Sequence, residues 1–139
     1  AMTSLEFVKK LKQHGADLNA RMTKKVQLGM TGINTLGATP FFMAAKTAKE
    51  QGHDVVLWLW NEAVTSARKG SADHVVGVNL TPLKDLLAAV QAANIPIWVC
   101  GACAVARQIG QADLIAGAVI KGMPDYIKAV AERDRTVAF

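Results

Sequence analysis

The sequence is poor in the residues that several protein classes require. Its 139 residues include two cysteines, three histidines and one tyrosine, and 19% of them are charged. No apolar run approaches the roughly 20 residues of a membrane-spanning helix. The N-terminus shows no apolar block followed by a small-residue cleavage site, as a signal peptide would. We therefore expect a cytoplasmic protein without a membrane-spanning segment.

Motifs for metal and nucleotide binding are also missing. One Cys-x-x-Cys pair supplies two zinc ligands, and no second pair or His-x-His motif completes a set of four. The segment 29–32, Gly-Met-Thr-Gly, lacks both the glycine pattern of a dinucleotide-binding loop and the lysine of a phosphate-binding loop. We accordingly expect no bound metal ion and no cofactor.

Apolar side chains are abundant and make up 51% of the chain. A chain of this length fits one domain and can bury a core without disulfide bridges. With so few charged residues, part of the surface is expected to be apolar, and contacts between subunits would cover it. The composition therefore favours a homo-oligomer.

The net charge of +5 is concentrated at the N-terminal end, where residues 1–25 hold six basic and two acidic residues. Apolar positions recur there with helical spacing, at Leu5, Val8, Leu11, Leu18 and Met22. Thr3 and Glu6 match a capping box for the start of this helix, and Gly15 could interrupt it. We interpret residues 1–23 as a solvated amphipathic helical extension rather than a nucleic-acid-binding arm.

From residue 25 onward, strand-like and helix-like segments alternate. The predicted strands span 25–31, 54–60, 95–100, 118–121 and 136–139. The predicted helices span 40–51, 61–69, 82–94, 104–108 and 124–133, with a loop over 32–39 and no clear pattern over 71–80. Repeated strand–helix units predict a parallel sheet with right-handed crossovers and helices on both faces.

The two cysteines form the motif Cys100-Gly101-Ala102-Cys103, between an apolar strand-like run and a helix-like stretch. A strand would thus deliver both thiols to the start of a helix. Unpaired backbone N–H groups and the helix dipole stabilise a thiolate there, and the thiolate is the reactive form of cysteine. In a reducing compartment such a pair is more naturally catalytic, redox-active or metal-binding than a permanent bridge.

Polar residues follow the other predicted strands at the same edge of the sheet, where ligands of α/β proteins collect. The loop after the first strand offers several of them, Thr35 included, and the turn after the second strand offers two more. Together with the cysteines after the third strand, these segments predict one site. Its candidate binding residues are Thr31, Gly32, Asn34, Asn61, Glu62 and Gly101.

At this point the sequence resembles a known family. The Cys-x-x-Cys motif followed by Arg107, the segment 52–55 before the second strand, and the closing segments 121–123 and 134–139 are similar to the DsrE/DsrF-like family. The resemblance covers about 24–139, which we predict to be the DsrE-like domain. It implies a flavodoxin-like three-layer α/β/α subunit with a mainly parallel five-stranded sheet, which assembles as a homotrimer or homohexamer.

The resemblance also implies a function in sulfur relay, as a sulfur carrier or sulfurtransferase. Cys100 matches the family's sulfur-carrying cysteine, and Cys103 matches a second cysteine that some members possess. The implied catalytic residues are Cys100, Cys103 and Arg107, and the implied partners are proteins that donate and accept sulfur. The sequence departs from the family pattern after the arginine, at 108–110, and after the second strand, at 61–62.

The residues leave some roles open. Arg107, one helical turn beyond Cys103, either supports anionic sulfur or forms an ordinary ion pair. Cys103 either resolves a persulfide by forming a disulfide or packs as a small apolar side chain. His53 and His74 are more typical of capping or surface positions than of a site.

A different class of function competes with sulfur relay. The chain could be a non-catalytic oligomeric binding or scaffold protein whose thiols are inert. Trp58 and Trp60 share a strand face and are more typical of a core than of a ligand platform. A thioredoxin-type oxidoreductase is disfavoured, because its cysteines follow the first strand of the core and these follow the third.

Overall fold

The structure, a computed structural model, describes residues 3–13, 24–31 and 35–139. Its strands are β1 Lys25–Met30, β2 Asp54–Leu59, β3 Ile97–Cys100, β4 Ala118–Lys121 and β5 Arg135–Ala138. Its α-helices are α1 Ser4–Gln13, α2 Thr35–Glu50, α3 Leu83–Ala92, α4 Gly101–Ala106 and α5 Met123–Glu132. Two 3₁₀ helices cover Asn61–Ala67 and Gln111–Asp113. None of these described helices has the length and apolar character needed to cross a bilayer.

The five strands form one sheet in the order β4-β3-β2-β1-β5, and every neighbouring pair is parallel. The chain moves outward from β1 to β4 and then returns to the other side of β1. Because parallel crossovers are right-handed, this reversal places α5 on the face opposite to α2 and α3. The predicted α/β architecture with a five-stranded parallel sheet is confirmed.

The main core lies between the sheet and the helices α2 and α3. The strands contribute alternate apolar residues to it, and the helices contribute Phe41, Phe42, Leu83 and Val90, which are inaccessible to solvent. Residues 55–59 of β2 are buried on both faces of the sheet, as its continuous apolar sequence predicts. On the opposite face, Trp58 packs against Tyr126 of α5 with ring centroids 5.0 Å apart.

Helix α2 begins at Thr35, so the predicted helix start at Pro40 and the predicted loop over 35–39 are wrong. The rest of that loop, 32–34, lies outside the described residues. Pro40 lies inside the helix with its ring exposed, while Ala38, two residues before it, and Phe41, directly after it, are fully buried. Packing of these side chains outweighs the hydrogen bond that proline removes, so tertiary contacts override the local signal.

The predicted helix over 61–69 is a 3₁₀ helix instead. Its buried residues are Ala63, Val64, Ser66 and Ala67. Side chains three residues apart eclipse one another in a 3₁₀ helix, so this tighter winding buries both pairs together.

Helix α4 starts three residues earlier than predicted and ends at Ala106, because Gln108 adopts a left-handed backbone conformation with φ of 53°. Other element bounds agree with the prediction within two residues.

The N-terminal helix α1 has the predicted capping box. The Thr3 hydroxyl accepts the Glu6 N–H at 3.2 Å, and the Glu6 carboxylate accepts the Thr3 N–H at 2.8 Å. Leu5 and Phe7 are exposed on this helix. Leu18 and Met22, which the prediction also placed on its apolar face, lie outside the described residues, and the division into 1–23 and 24–139 stays a prediction.

Candidate functional site

The two thiols lie where β3 meets α4. Cys100 is the last residue of β3 and the N-cap of α4, and Cys103 lies in the first turn of that helix. Both cysteines are free and half-buried. The strand thus delivers the thiols to the carboxyl edge of the sheet, at the position that the motif predicts.

Gly101 lets α4 begin this close to the sheet. A Cβ atom on Gly101 would lie 3.3 Å from Cγ2 of Ile120 and 3.4 Å from the carbonyl oxygen of Lys121. Both distances are tight for a side chain, so a residue without one fits best between α4 and the end of β4. The geometry gives Gly101 a packing role between the thiols, in addition to the binding role that the sequence suggests.

Asn61, two residues after the end of β2, faces the Cys103 thiol. Its side-chain oxygen lies 3.8 Å from Sγ of Cys103, a distance that suits a weak hydrogen bond from sulfur. Its φ is 44°, in the left-handed region that asparagine tolerates better than most residues. An asparagine therefore suits both the turn and the contact with the thiol.

Arg107 and Glu62 form an ion pair beside Cys103. One guanidinium nitrogen, Nη2, contacts the Glu62 carboxylate, and the other, Nη1, donates to the carbonyl of Cys103 at 3.1 Å. The pair ties the end of α4 to the 3₁₀ helix that follows β2. Of the two roles open for Arg107, the structure shows the ion pair.

Burial raises the pKa of the Cys103 thiol, and a hydrogen bond with Cys100 raises it further. The Asn61 backbone and the charge of Arg107 act in the opposite direction but do not reverse the shift. Cys103 therefore holds its proton at neutral pH more firmly than an ordinary cysteine. A hydrogen bond from Arg107 lowers the pKa of Glu62, which keeps the ion pair charged at neutral pH.

Thr31, directly after β1, lies at the same edge of the sheet but contacts other groups. Its N–H and hydroxyl point at the carbonyl of Phe139, at 3.4 and 3.5 Å, and its own carbonyl accepts the N–H of Ala63 at 3.3 Å. Thr35 is the first residue of α2. Gly32 and Asn34 lie outside the described residues, so their predicted binding roles stay predictions.

The remaining candidates occupy structural or surface positions. His53 precedes β2 at the amino end of the sheet, and its Nδ1 faces the N–H of Lys24 at 3.3 Å. His74 is exposed in the turn segment between the 3₁₀ helix and α3. Trp58 is fully buried and its ring centroid lies 5.4 Å from that of Trp60, so the two share a face and pack as the sequence predicts.

Lys121, which sequence reasoning did not place at the site, ends β4 beside Cys100. The two residues are partners in the parallel ladder between β3 and β4. The Lys121 ammonium lies 5.4 Å from the centroid of the Trp98 ring and 3.7 Å from the Asp125 carboxylate. Its signal in the sequence is its place at the end of a strand, but only the strand order makes it a neighbour of Cys100.

Within 3–13, 24–31 and 35–139, no three side chains of His, Cys, Asp or Glu come together as a metal site would require. The arrangement offers two neighbouring thiols beside amide and charged groups, and burial raises the pKa of one of them, Cys103. Such a pair can accept sulfur on one thiol or form a disulfide.

Comparison with known proteins assigns the chain to a family. The chain matches the DsrE/DsrF-like family over residues 26–139. It is 35% identical over 95 residues to the uncharacterised protein MJ0989 of Methanocaldococcus jannaschii, a match that covers 68% of this chain and 80% of that protein.

The crystal structure of the YchN protein from E. coli superposes with a TM-score of 0.73 at 22% identity, covering 84% of this chain and all of that one. At that identity the likeness concerns the fold alone, which is flavodoxin-like. The chain belongs to the DsrE/DsrF-like family, and the resemblance seen in the sequence is confirmed. This family is one of the sulfur-relay type.

Proposed function

We propose that this protein carries persulfide sulfur on Cys100 in a sulfur relay. The observation that carries the proposal is the position of Cys100 at the carboxyl end of β3, half-buried, with a second thiol one helical turn away. The family assignment supports it, since the matched segment includes both cysteines. Asn61, Glu62 and Arg107 lie at the same edge, and their contacts hold the second thiol in place.

The loading step exchanges sulfur without net oxidation. The Cys100 thiolate attacks the outer sulfur of a persulfide, R–S–SH, on a donor protein. A new S–S bond forms on Cys100, the S–S bond of the donor breaks, and the donor leaves as the thiolate R–S⁻ with the proton on the transferred sulfur. An acceptor thiolate then attacks the outer sulfur of the Cys100 persulfide in the same manner and regenerates Cys100.

Cys103 provides a second route of release. Its thiolate attacks the inner sulfur of the Cys100 persulfide, which forms a Cys100–Cys103 disulfide and expels HS⁻. The two cysteines are oxidised by two electrons and the sulfane sulfur is reduced, so an external dithiol must then reduce the disulfide. Because the pKa of Cys103 is raised, this route is slow at neutral pH and direct transfer to an acceptor comes first.

Arg107 acts mainly on the protein rather than on sulfur in this proposal. Its guanidinium is shared between the Glu62 carboxylate and the Cys103 carbonyl. It thereby holds α4 against the segment after β2 and keeps the second thiol next to Asn61. The ion pair of Arg107 with Glu62 thus acts as a clamp, and the Asn61 side chain contacts the Cys103 thiol itself.

We further propose that the protein acts in the cytoplasm as a homotrimer or homohexamer, together with donor and acceptor proteins. A stripe on α5 supports self-association: Met123, Ile127 and Val130 lie at helical spacing and are exposed by 53%, 57% and 37%. Apolar side chains at such spacing are suited to a contact between subunits. The bound proteins and the number of subunits are part of the proposal.

The test is intact-protein mass spectrometry after anaerobic incubation with a polysulfide, followed by thiol trapping and peptide mapping. Wild type should gain sulfur on Cys100, and a reductant should remove it. Cys100→Ser should not load, whereas Cys103→Ser should load but release less sulfide. Equal loading of wild type and Cys100→Ser would refute the assignment of Cys100.

The competing function is a non-catalytic oligomeric binding or scaffold protein of the same fold. The exposed stripe on α5 favours it, because a docking surface needs no thiol chemistry. In that case the folded protein should gain no sulfur, and both thiols should react slowly with alkylating agents. The same mass spectra therefore separate the two functions.

A further inference from the structure

The ladder between β3 and β4 places a cation beside the proposed sulfur carrier. Cys100 pairs with Lys121, and two residues earlier Trp98 pairs with Val119. Neighbouring strands lie about 4.8 Å apart, and partner residues of a parallel ladder project from the same face of the sheet. The Lys121 ammonium lies over the Trp98 ring, on the face to which β3 alternation also assigns Cys100.

We propose that Lys121 stabilises the anionic sulfur of Cys100, both as the thiolate and as the persulfide. This inference rests on the proposed function, because it assigns the charge that the relay site would use. Lys121 acts by its charge on the reacting sulfur and forms no bond to it. It also lies in the segment 121–123, which supports the family resemblance and has no role in the proposed function.

Arg107 is less suited to this task. Its two terminal nitrogens are taken up by the Glu62 carboxylate and the Cys103 carbonyl, on the side of the second thiol. An arginine held at both nitrogens has little freedom to follow sulfur as its charge develops. Its clamp therefore serves α4 and Cys103 rather than Cys100.

Lys121 is held much more loosely. Its ammonium is 3.7 Å from the Asp125 carboxylate, near the outer limit of an ion pair, and a third of its side chain is exposed. A lysine has three rotatable donors on a flexible stem, so a change of rotamer can move the ammonium from Trp98 toward the neighbouring strand end. Asp125 itself is engaged elsewhere, since its other oxygen accepts the Gly122 N–H at 3.0 Å.

Charged and titratable groups lie on each element around the thiols. Those elements are α4, the 3₁₀ helix after β2, β4 and α5. Their groups are Cys103, Glu62, Lys121, Asp125, Tyr126, Lys128 and Glu132, together with Arg107 at the end of α4. Cys103 is removed from the measurement by working in a Cys103→Ser background, and the remaining groups are kept constant except for the residue under test.

The experiment measures the rate at which iodoacetamide alkylates Cys100 as a function of pH, with peptide mapping to identify the site. Lys121→Met keeps the apolar stem over Trp98 and removes the charge. In this variant the pH midpoint of Cys100 alkylation should rise by about half a unit, and alkylation below the midpoint should slow about threefold. This is the effect expected for the loss of one charge from a neighbouring residue near a surface. Lys121→Arg should restore the wild-type midpoint.

Two controls test whether the shift of the Cys100 midpoint comes from the charge of Lys121. Lys128→Met removes an equally charged, more exposed lysine of α5, whose ammonium lies 4.0 Å from Glu132, and should leave the midpoint unchanged. In 1 M salt the Debye length falls to about 3 Å, so the difference between wild type and Lys121→Met should shrink. A midpoint that is unchanged in folded Lys121→Met overturns the inference.

If Lys121→Met does not fold, Asp125→Asn is measured instead. An asparagine still accepts the Gly122 N–H and releases Lys121 from its carboxylate, so the Cys100 midpoint should fall, and an unchanged midpoint overturns the inference. Alkylation needs no sulfur donor, which keeps the two hypotheses apart. Failure of Cys100 to load sulfur refutes the proposed relay alone, and normal loading with no effect of Lys121 refutes this inference alone.

Discussion

Asn61 has two roles: its backbone adopts a left-handed conformation, and its side chain contacts the sulfur of Cys103. Two substitutions can separate these roles. Hydrogen bonds hold the backbone on both sides of Asn61. The Trp60 N–H donates to the Met30 carbonyl at 3.0 Å, and the Ala63 N–H donates to the Trp60 carbonyl at 2.9 Å. The φ of 44° therefore cannot relax without breaking bonds at the carboxyl edge of the sheet.

Asn61→Ala should destabilise the fold, whereas Asn61→Gly should not. Alanine in the left-handed region costs about 1 kcal/mol more than asparagine or glycine, which corresponds to a drop in Tm of about 3 °C for a domain of this size. Glycine adopts this φ without steric cost. Thermal unfolding followed by circular dichroism measures the difference between the two variants.

Both substitutions should have the same effect on Cys103. Each removes the amide oxygen 3.8 Å from its sulfur, which accepts a hydrogen bond from the protonated thiol. Loss of this hydrogen bond from the thiol form should lower the pKa of Cys103 toward its ordinary value. Alkylation of Cys103 against pH, in a Cys100→Ser background, measures this shift.

The two measurements, Tm and the alkylation of Cys103, test the two roles of Asn61 separately. Equal Tm values for Asn61→Ala and Asn61→Gly would show that the backbone conformation carries no strain. An unaltered Cys103 midpoint in both variants would show that the amide does not bind the thiol. Opposite shifts of the midpoint in the two variants would assign the effect to the backbone rather than to the side chain.

Two further predictions concern the clamp and the stripe on α5. Arg107 lowers the pKa of Glu62 below its ordinary 4.5, so the pair stabilises the fold fully above that pH and loses its effect as the pH falls through the lowered value. The urea concentration at the midpoint of unfolding should therefore fall less between pH 5 and pH 3 in Glu62→Gln than in wild type. An equal fall in both proteins contradicts this prediction. Ile127→Glu should dissociate the proposed homo-oligomer in analytical ultracentrifugation, while the same substitution at exposed Lys128 should not. Equal masses for wild type and both variants contradict a contact through α5.

Local signals in the sequence determine the order of strands and helices, one helix cap and the position of the cysteine motif. The alternation of strand-like and helix-like segments, the capping box at Thr3 and Glu6, and the Cys-x-x-Cys motif at a strand end are all found in the structure. Each depends on residues only a few positions apart, which is why patterns reveal them. The convergence of Asn61 and Glu62 on the second thiol follows as well, because parallel strands end at one edge.

Only the tertiary structure decided the start of α2, the partner of Arg107 and the neighbour of Cys100, because each depends on contacts between distant parts of the chain. Helix α2 extends through Pro40 because Ala38 and Phe41 pack into the core, and a pattern of local propensities cannot weigh that burial. The pairing of Arg107 with Glu62 needs the observed approach of α4 to the 3₁₀ helix. Lys121 becomes a neighbour of Cys100 only through strand order and register, which are set by the packing of whole strands rather than by the residues around either one.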